Sequence, residues 1–111
     1  MTRRKILIDL DGVLNEYTKG CFDKNYIPNP REGVEDFLIE LNKDYDLYLF
    51  TSRNLLLASK WLINNNLDSY FKDVTNIKLP AYLFIDDRNI KFNGNYSKTL
   101  IEIKHFKVNW E

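Results

Sequence analysis

Residues 5–17 read KILIDLDGVLNEY. Ile6, Leu7 and Ile8 form a continuous apolar run, the pattern of a strand covered on both faces. The run ends in two carboxylates, Asp9 and Asp11, with Gly12 directly behind them. A carboxylate buried without a partner gives up its hydration and gains nothing in return. What surrounds these two acids therefore decides both the fold and its use. Two further runs of the same kind follow: DLYLFTSR at residues 46–53 and AYLFIDDR at residues 81–88. A weaker strand lies in KDVTN, around residues 73–76.

Helical patterns separate the strands. In PNPREGVEDFLIELNKD, Val34, Phe37, Leu38 and Leu41 fall at i, i+3, i+4 and i+7, with acids near the start and Lys43 near the end. In NLLLASKWLINNNL, Leu55, Ala58 and Leu62 share a face, Asn54 is the expected N-cap and the asparagine run ends the helix. The tail SKTLIEIKHFKVNW reads equally as helix or strand. Strands alternating with helices predict an α/β fold: a three-layer, Rossmannoid sandwich with a central parallel sheet and helices on both faces.

In open parallel sheets, ligands bind at the carboxyl ends of the strands. Asp9 and Asp11 end the first run, Thr51, Ser52 and Arg53 the second, and Asp86 and Asp87 the third. Three separate segments thus deliver reactive side chains to one sheet edge. Four carboxylates together repel one another, and a divalent cation relieves that repulsion. Oxygen-only ligands favour a hard ion such as Mg²⁺. His105 stands alone in the tail, so no softer donor cluster competes. One strand-end Asp by itself is ordinarily a turn or capping residue. The three clusters in this order carry the functional reading.

The bulk composition sets limits. With 111 residues the chain suits one small domain, and 44% hydrophobic residues suffice for one core. Sixteen basic and 16 acidic residues balance, which gives no support for coating a polyanion. The single cysteine, Cys21, allows no internal disulfide, and its ordinary reading is an unreactive thiol in a reducing, cytoplasmic setting. MTRRK precedes an apolar run too short for a signal peptide or membrane span, so no membrane partner is expected. Arg3, Arg4 and Lys5 are expected to form a solvated leader to the first strand.

The segment IDLDGVL resembles the first signature of the haloacid dehalogenase (HAD) superfamily, and LYLFTSR resembles the second. LFIDDR is similar to the acidic fourth signature, and VTNIKLPA supplies Lys78 in the position of the third. The resemblance spans residues 5–94. It implies a Mg²⁺-dependent phosphatase acting through an aspartyl-phosphate. Asp9 would be the nucleophile, and Asp11 the acid for the leaving oxygen and then the base for water. Asp9, the backbone carbonyl of Asp11 and the Asp86–Asp87 pair would hold the metal, either Asp86 or Asp87 being the direct ligand. Thr51, in preference to Ser52, would bind a phosphate oxygen, and Lys78 would add a fixed positive charge.

No cap domain fits: residues 12–32 make only a flap-length loop, and residues 54–77 are filled by a helix and a connector. The resemblance implies that such an open member acts on a large or macromolecular phosphate or borrows a lid from a second subunit, and the expected substrate is a phosphorylated small molecule or a nucleic-acid end. TSR and DDR also look like elements in the phosphatase half of phage-type polynucleotide kinases, in which case Arg53 would clamp a substrate phosphate. The competing reading pairs Arg53 and Arg88 with nearby acids. Tyr17, Phe22 and Tyr26 in the flap either stack on substrate or cover the sheet edge. The main alternative function is a phosphate- or metal-binding regulatory domain without turnover. A receiver domain fits less well, because its acidic pair and phosphoacceptor occur in the reverse order.

Overall fold

The computed structural model describes residues 3–17, 23–77, 83–85 and 94–110. Cys21, Phe22, Lys78, Asp86, Asp87 and Arg88 lie outside the described residues, as does the His105 side chain. Strand β1 spans Arg4–Asp9, helix α1 Val34–Asn42, β2 Tyr45–Phe50 and α2 Leu55–Asn64. A 3₁₀ turn at Asp68–Tyr70 leads into β3, Phe71–Thr75, and then come β4, Leu83–Ile85, and α3, Tyr96–Trp110. The strands form one sheet in the order β3-β2-β1-β4, with every pairing parallel. The chain therefore steps outward from β1 to β3 and returns to the other side of β1. That reversal lies between β1 and β4.

Register explains the core. Ile6 pairs with Leu47, and Ile8 with Leu49 and Ile85, so these residues share one face. Ile6, Ile8, Leu47, Leu49 and Ile85 pack in one cluster with Val34, Phe37, Leu38 and Leu41 of α1, Ala58, Trp61 and Leu62 of α2, and Ile103 of α3. Covering each large aliphatic side chain contributes about 1.5–3 kcal/mol before chain entropy is opposed to it.

The second face is different. Leu7 is fully buried there but lies outside that cluster. Its register neighbour Tyr48, and Phe50 beyond, are half-buried. Every buried apolar helix residue belongs to the first cluster, so among the described residues the helices cover one sheet face only. The α/β fold and its parallel sheet are present; the third layer of the expected sandwich is not found among these residues. The tail is helical throughout its described length. No described helix is long and apolar enough to cross a membrane.

The basic leader is exposed, as expected, but is not a free extension of the strand. Arg4 and Lys5 belong to β1, and the Lys5 ammonium sits 5.6 Å from the centre of the Tyr48 ring. Arg3 donates to the carbonyls of Asn42 and Tyr45 and lies 3.4 Å from the Asp46 carboxylate. Although exposed, its charge closes the α1–β2 turn.

Candidate functional site

Asp9 is the last residue of β1 and stands opposite Phe50, the last of β2. Thr51 follows immediately and is tied to the neighbouring strand, its N–H donating to the Thr75 carbonyl at 3.0 Å. The carboxyl ends of β1 and β2 are therefore level, and Asp9, Asp11 and Thr51 meet at one edge. Strand β4 is described as far as Ile85, opposite Ile8.

Beyond Asp9 the chain turns sharply. Leu14 donates back to the Leu10 carbonyl at 3.0 Å, and Gly12 takes φ +85°. A side chain at Gly12 would meet no crowding, its nearest contact being the Tyr17 ring at 4.0 Å, so the requirement for glycine is the left-handed backbone itself. The loop then pairs with its own return segment. Asn15 bridges Pro30, Glu16 donates to the Asn29 carbonyl at 3.0 Å, and Arg31 donates to the Leu14 carbonyl at 2.8 Å. Between these anchors the flap turns at Asp23–Tyr26, where Tyr26 is 57% exposed.

The Asp11 carboxylate is held by Arg53. Nε donates to both its oxygens, at 2.9 and 3.1 Å, and Nη2 donates to Oδ1 at 3.0 Å. The Arg53 side chain is 1% exposed and that of Asp11 20%. A charge pair under this cover is costly to break from one side, about 3–5 kcal/mol, because the remaining ion is left unpaired. The Asn15 amide adds a further donor to Asp11 Oδ1 at 3.0 Å. For Asp11, then, the burial of a strand-end carboxylate is stabilised by this chain's own cation and amide.

Arg53 is anchored from behind, its backbone N–H donating to Thr51 Oγ1 at 3.1 Å. Thr51 is buried, and its hydroxyl, accepting here, retains a proton to donate. Ser52 is exposed. Arg53 Nη1 reaches across to the flap and donates to the Asp23 carbonyl at 2.7 Å. The structure thus joins Asp11, Arg53 and Thr51 by hydrogen bonds at the edge where Asp9 ends β1, while Lys78, Asp86 and Asp87 fall outside the described residues.

Two contributors escaped the sequence reading. Asn15 has no exposed surface, and its Oδ1 accepts from the N–H groups of Gly12 at 2.9 Å and Tyr17 at 3.0 Å. Arg31 Nε donates to the Asn15 carbonyl at 3.1 Å. The one available signal was an asparagine four residues beyond Asp11, directly after an apolar pair.

Among the described residues no group of three or more acids, histidines or cysteines is arranged to hold a metal ion. The expected set needs Asp86 and Asp87. With the Asp11 carboxylate committed to Arg53, what Asp11 has to offer a hard cation is its backbone carbonyl, the ligand expected from the sequence. The remaining donors are all oxygens, which fits Mg²⁺. A separate cavity of about 610 Å³ lies between α1 and the start of α3, lined among others by Glu32, Asp36, Glu40, Asn95 and Lys104, and none of the candidate residues faces it.

Fold and site together define an α/β domain with an acidic strand-end site beside a reversal of strand order. No protein-family model matches the chain, and comparisons with curated proteins and with solved structures likewise return no match.

Proposed function

We propose that this protein is a cap-less, HAD-type phosphomonoester hydrolase. An Asp9 oxygen attacks phosphorus, forming an aspartyl-phosphate as the ester oxygen departs with a proton from Asp11. Asp11, now ionised, takes a proton from water, whose oxygen attacks the phosphoenzyme and releases inorganic phosphate and free Asp9. Thr51, Ser52 and Lys78 bind phosphate oxygens. Asp9, the Asp11 carbonyl, Asp86 and Asp87 would hold Mg²⁺, which when bound offsets the repulsion between Asp9 and the incoming phosphate. The substrate is a phosphorylated small molecule or a nucleic-acid end, admitted through an open approach.

The observation that carries the reading is the level ending of β1 and β2 next to the β1/β4 reversal, where ligands bind in open parallel sheets. Asp9 ends one strand at that edge, with Asp11 on the turn behind it and the buried Thr51 directly after the next strand. The test is inorganic phosphate release from an aryl phosphate, then from 3′-phosphorylated oligonucleotides and nucleotides, with Mg²⁺ and with chelator. Release should require Mg²⁺ and fall to background in Asp9→Asn with the circular dichroism spectrum unchanged. Full-rate turnover by that variant would remove Asp9 as nucleophile. Binding of phosphate and Mg²⁺ without release across the whole panel would leave a regulatory binding domain.

A further inference from the structure

We propose that Arg53 is a positioning residue that couples the flap to Asp11, one guanidinium holding both the Asp11 carboxylate and the Asp23 carbonyl. For the task assigned to Asp11 this rests on the phosphatase reading; the coupling itself does not.

The geometry is that of a two-sided clamp. Nε and Nη2 form one edge of the planar fork and grip Asp11, while Nη1 takes the flap at 2.7 Å. Because the guanidinium is rigid, a displacement on one edge is carried to the other. The side chain is 1% exposed, so water does not readily replace a bond that is lost. Its root is fixed by the bond from Arg53 N–H to Thr51 Oγ1. The clamp therefore links the end of β2, the turn after β1 and the flap tip.

All three guanidinium nitrogens donate to groups of the protein itself. This is the arrangement of a residue that acts through Asp11 and the flap rather than by gripping substrate. The coupling makes any loosening of the Asp11 bonds and the release of the flap turn one event.

Amide hydrogen exchange on the full chain tests this without reference to turnover. The Tyr26 N–H donates to the same Asp23 carbonyl, at 3.2 Å, and reports on the flap, with the β1 and β2 amides as controls. Arg53→Gln is expected to speed Tyr26 exchange about tenfold, the scale of one hydrogen bond to a charged group, with the strand amides unchanged. Asp11→Asn, whose side chain touches no atom of the Asp23–Tyr26 turn, is expected to shift Tyr26 in the same direction, and the double variant to go no further than the faster single one. Arg53→Lys, which has a charge but no fork, should leave the flap as fast as Arg53→Gln does. Tyr26 exchange unchanged in Asp11→Asn overturns the coupling. If Arg53→Gln speeds exchange throughout the strands, Asp11→Asn alone decides by the same criterion. Phosphate release from the same samples separates the two ideas: coupling in an inert protein sinks only the phosphatase, and turnover with an uncoupled flap sinks only the clamp.

Discussion

Asn15 shows how much of the site rests on a neutral side chain. Its amide accepts two backbone N–H groups and donates to Asp11, all from a position without exposed surface. Asn15→Ala removes the Oδ1 acceptor shared by the N–H groups of Gly12 and Tyr17, and losing such a bond under cover costs about 1–3 kcal/mol. The variant is expected to lose about 2 kcal/mol or more in urea denaturation and, on the phosphatase reading, to lower kcat more than it raises KM. An unchanged unfolding midpoint would show that water replaces the amide. Asp9, Asp11, Thr51 and Arg53 were legible because strand ends are easy to find and acids at strand ends are conspicuous. Pairing of Arg53 with an acid was one of two sequence readings and is what the structure shows; that the acid is Asp11 was not legible, since the two stand 42 positions apart and only the parallel register joins them. Asn15 looked like any loop asparagine; its burial comes from the flap's return through Pro30, which nothing local announces.

Among the elements, caps separate what was readable from what was not. Asn54 Oδ1 accepts from the Leu57 N–H at 3.1 Å, and the helix that follows starts at Leu55 and ends in the asparagine run, as expected. Asn54→Ala should cost about 1 kcal/mol of stability. Chemical denaturation measures it, and the adjacent Arg53 contacts predict a larger loss only if the cap also fixes the start of that segment. Helix α3 carries a similar signal that the tail reading did not use. Asn95 Oδ1 accepts from the Lys98 N–H at 3.0 Å, ahead of a segment whose I-E-I-K alternation imitates a strand. The alternation misleads because Ile103 alone of that isoleucine pair is buried, Ile101 being 54% exposed. The face of β2 was obscured for another reason. Tyr48 and Phe50 count as apolar in sequence, yet they are half-buried and alternate with the buried Leu47 and Leu49, so a true alternation reads as a continuous run.

At the scale of the whole molecule, Tyr96 joins the two ends of the chain. Its ring stacks on Phe37, with centroids 4.5 Å apart, and its hydroxyl donates to the Val13 carbonyl at 2.6 Å, across 83 positions of sequence. That single side chain connects α3 to α1 and to the turn that carries Asp11. Burial raises its pKa well above the ordinary tyrosine value of 10.0, with Arg31 opposing weakly. The unfolded chain thus gives up this proton near 10.0, while the folded chain keeps it to higher pH. Above that value the unfolded state binds fewer protons, so this residue's stabilising contribution is full below pH 10.0 and declines as pH rises. Tyr96→Phe retains the ring stack, loses the bond to Val13 and removes the titration. At neutral pH the variant should be less stable by about 1 kcal/mol. Unfolding in urea at a series of alkaline pH values should show that gap narrowing above 10.0, because only the parent chain has this proton to lose. Parallel stability curves for the two proteins would mean that the phenol is hydrated in solution and that α3 is held by the ring alone.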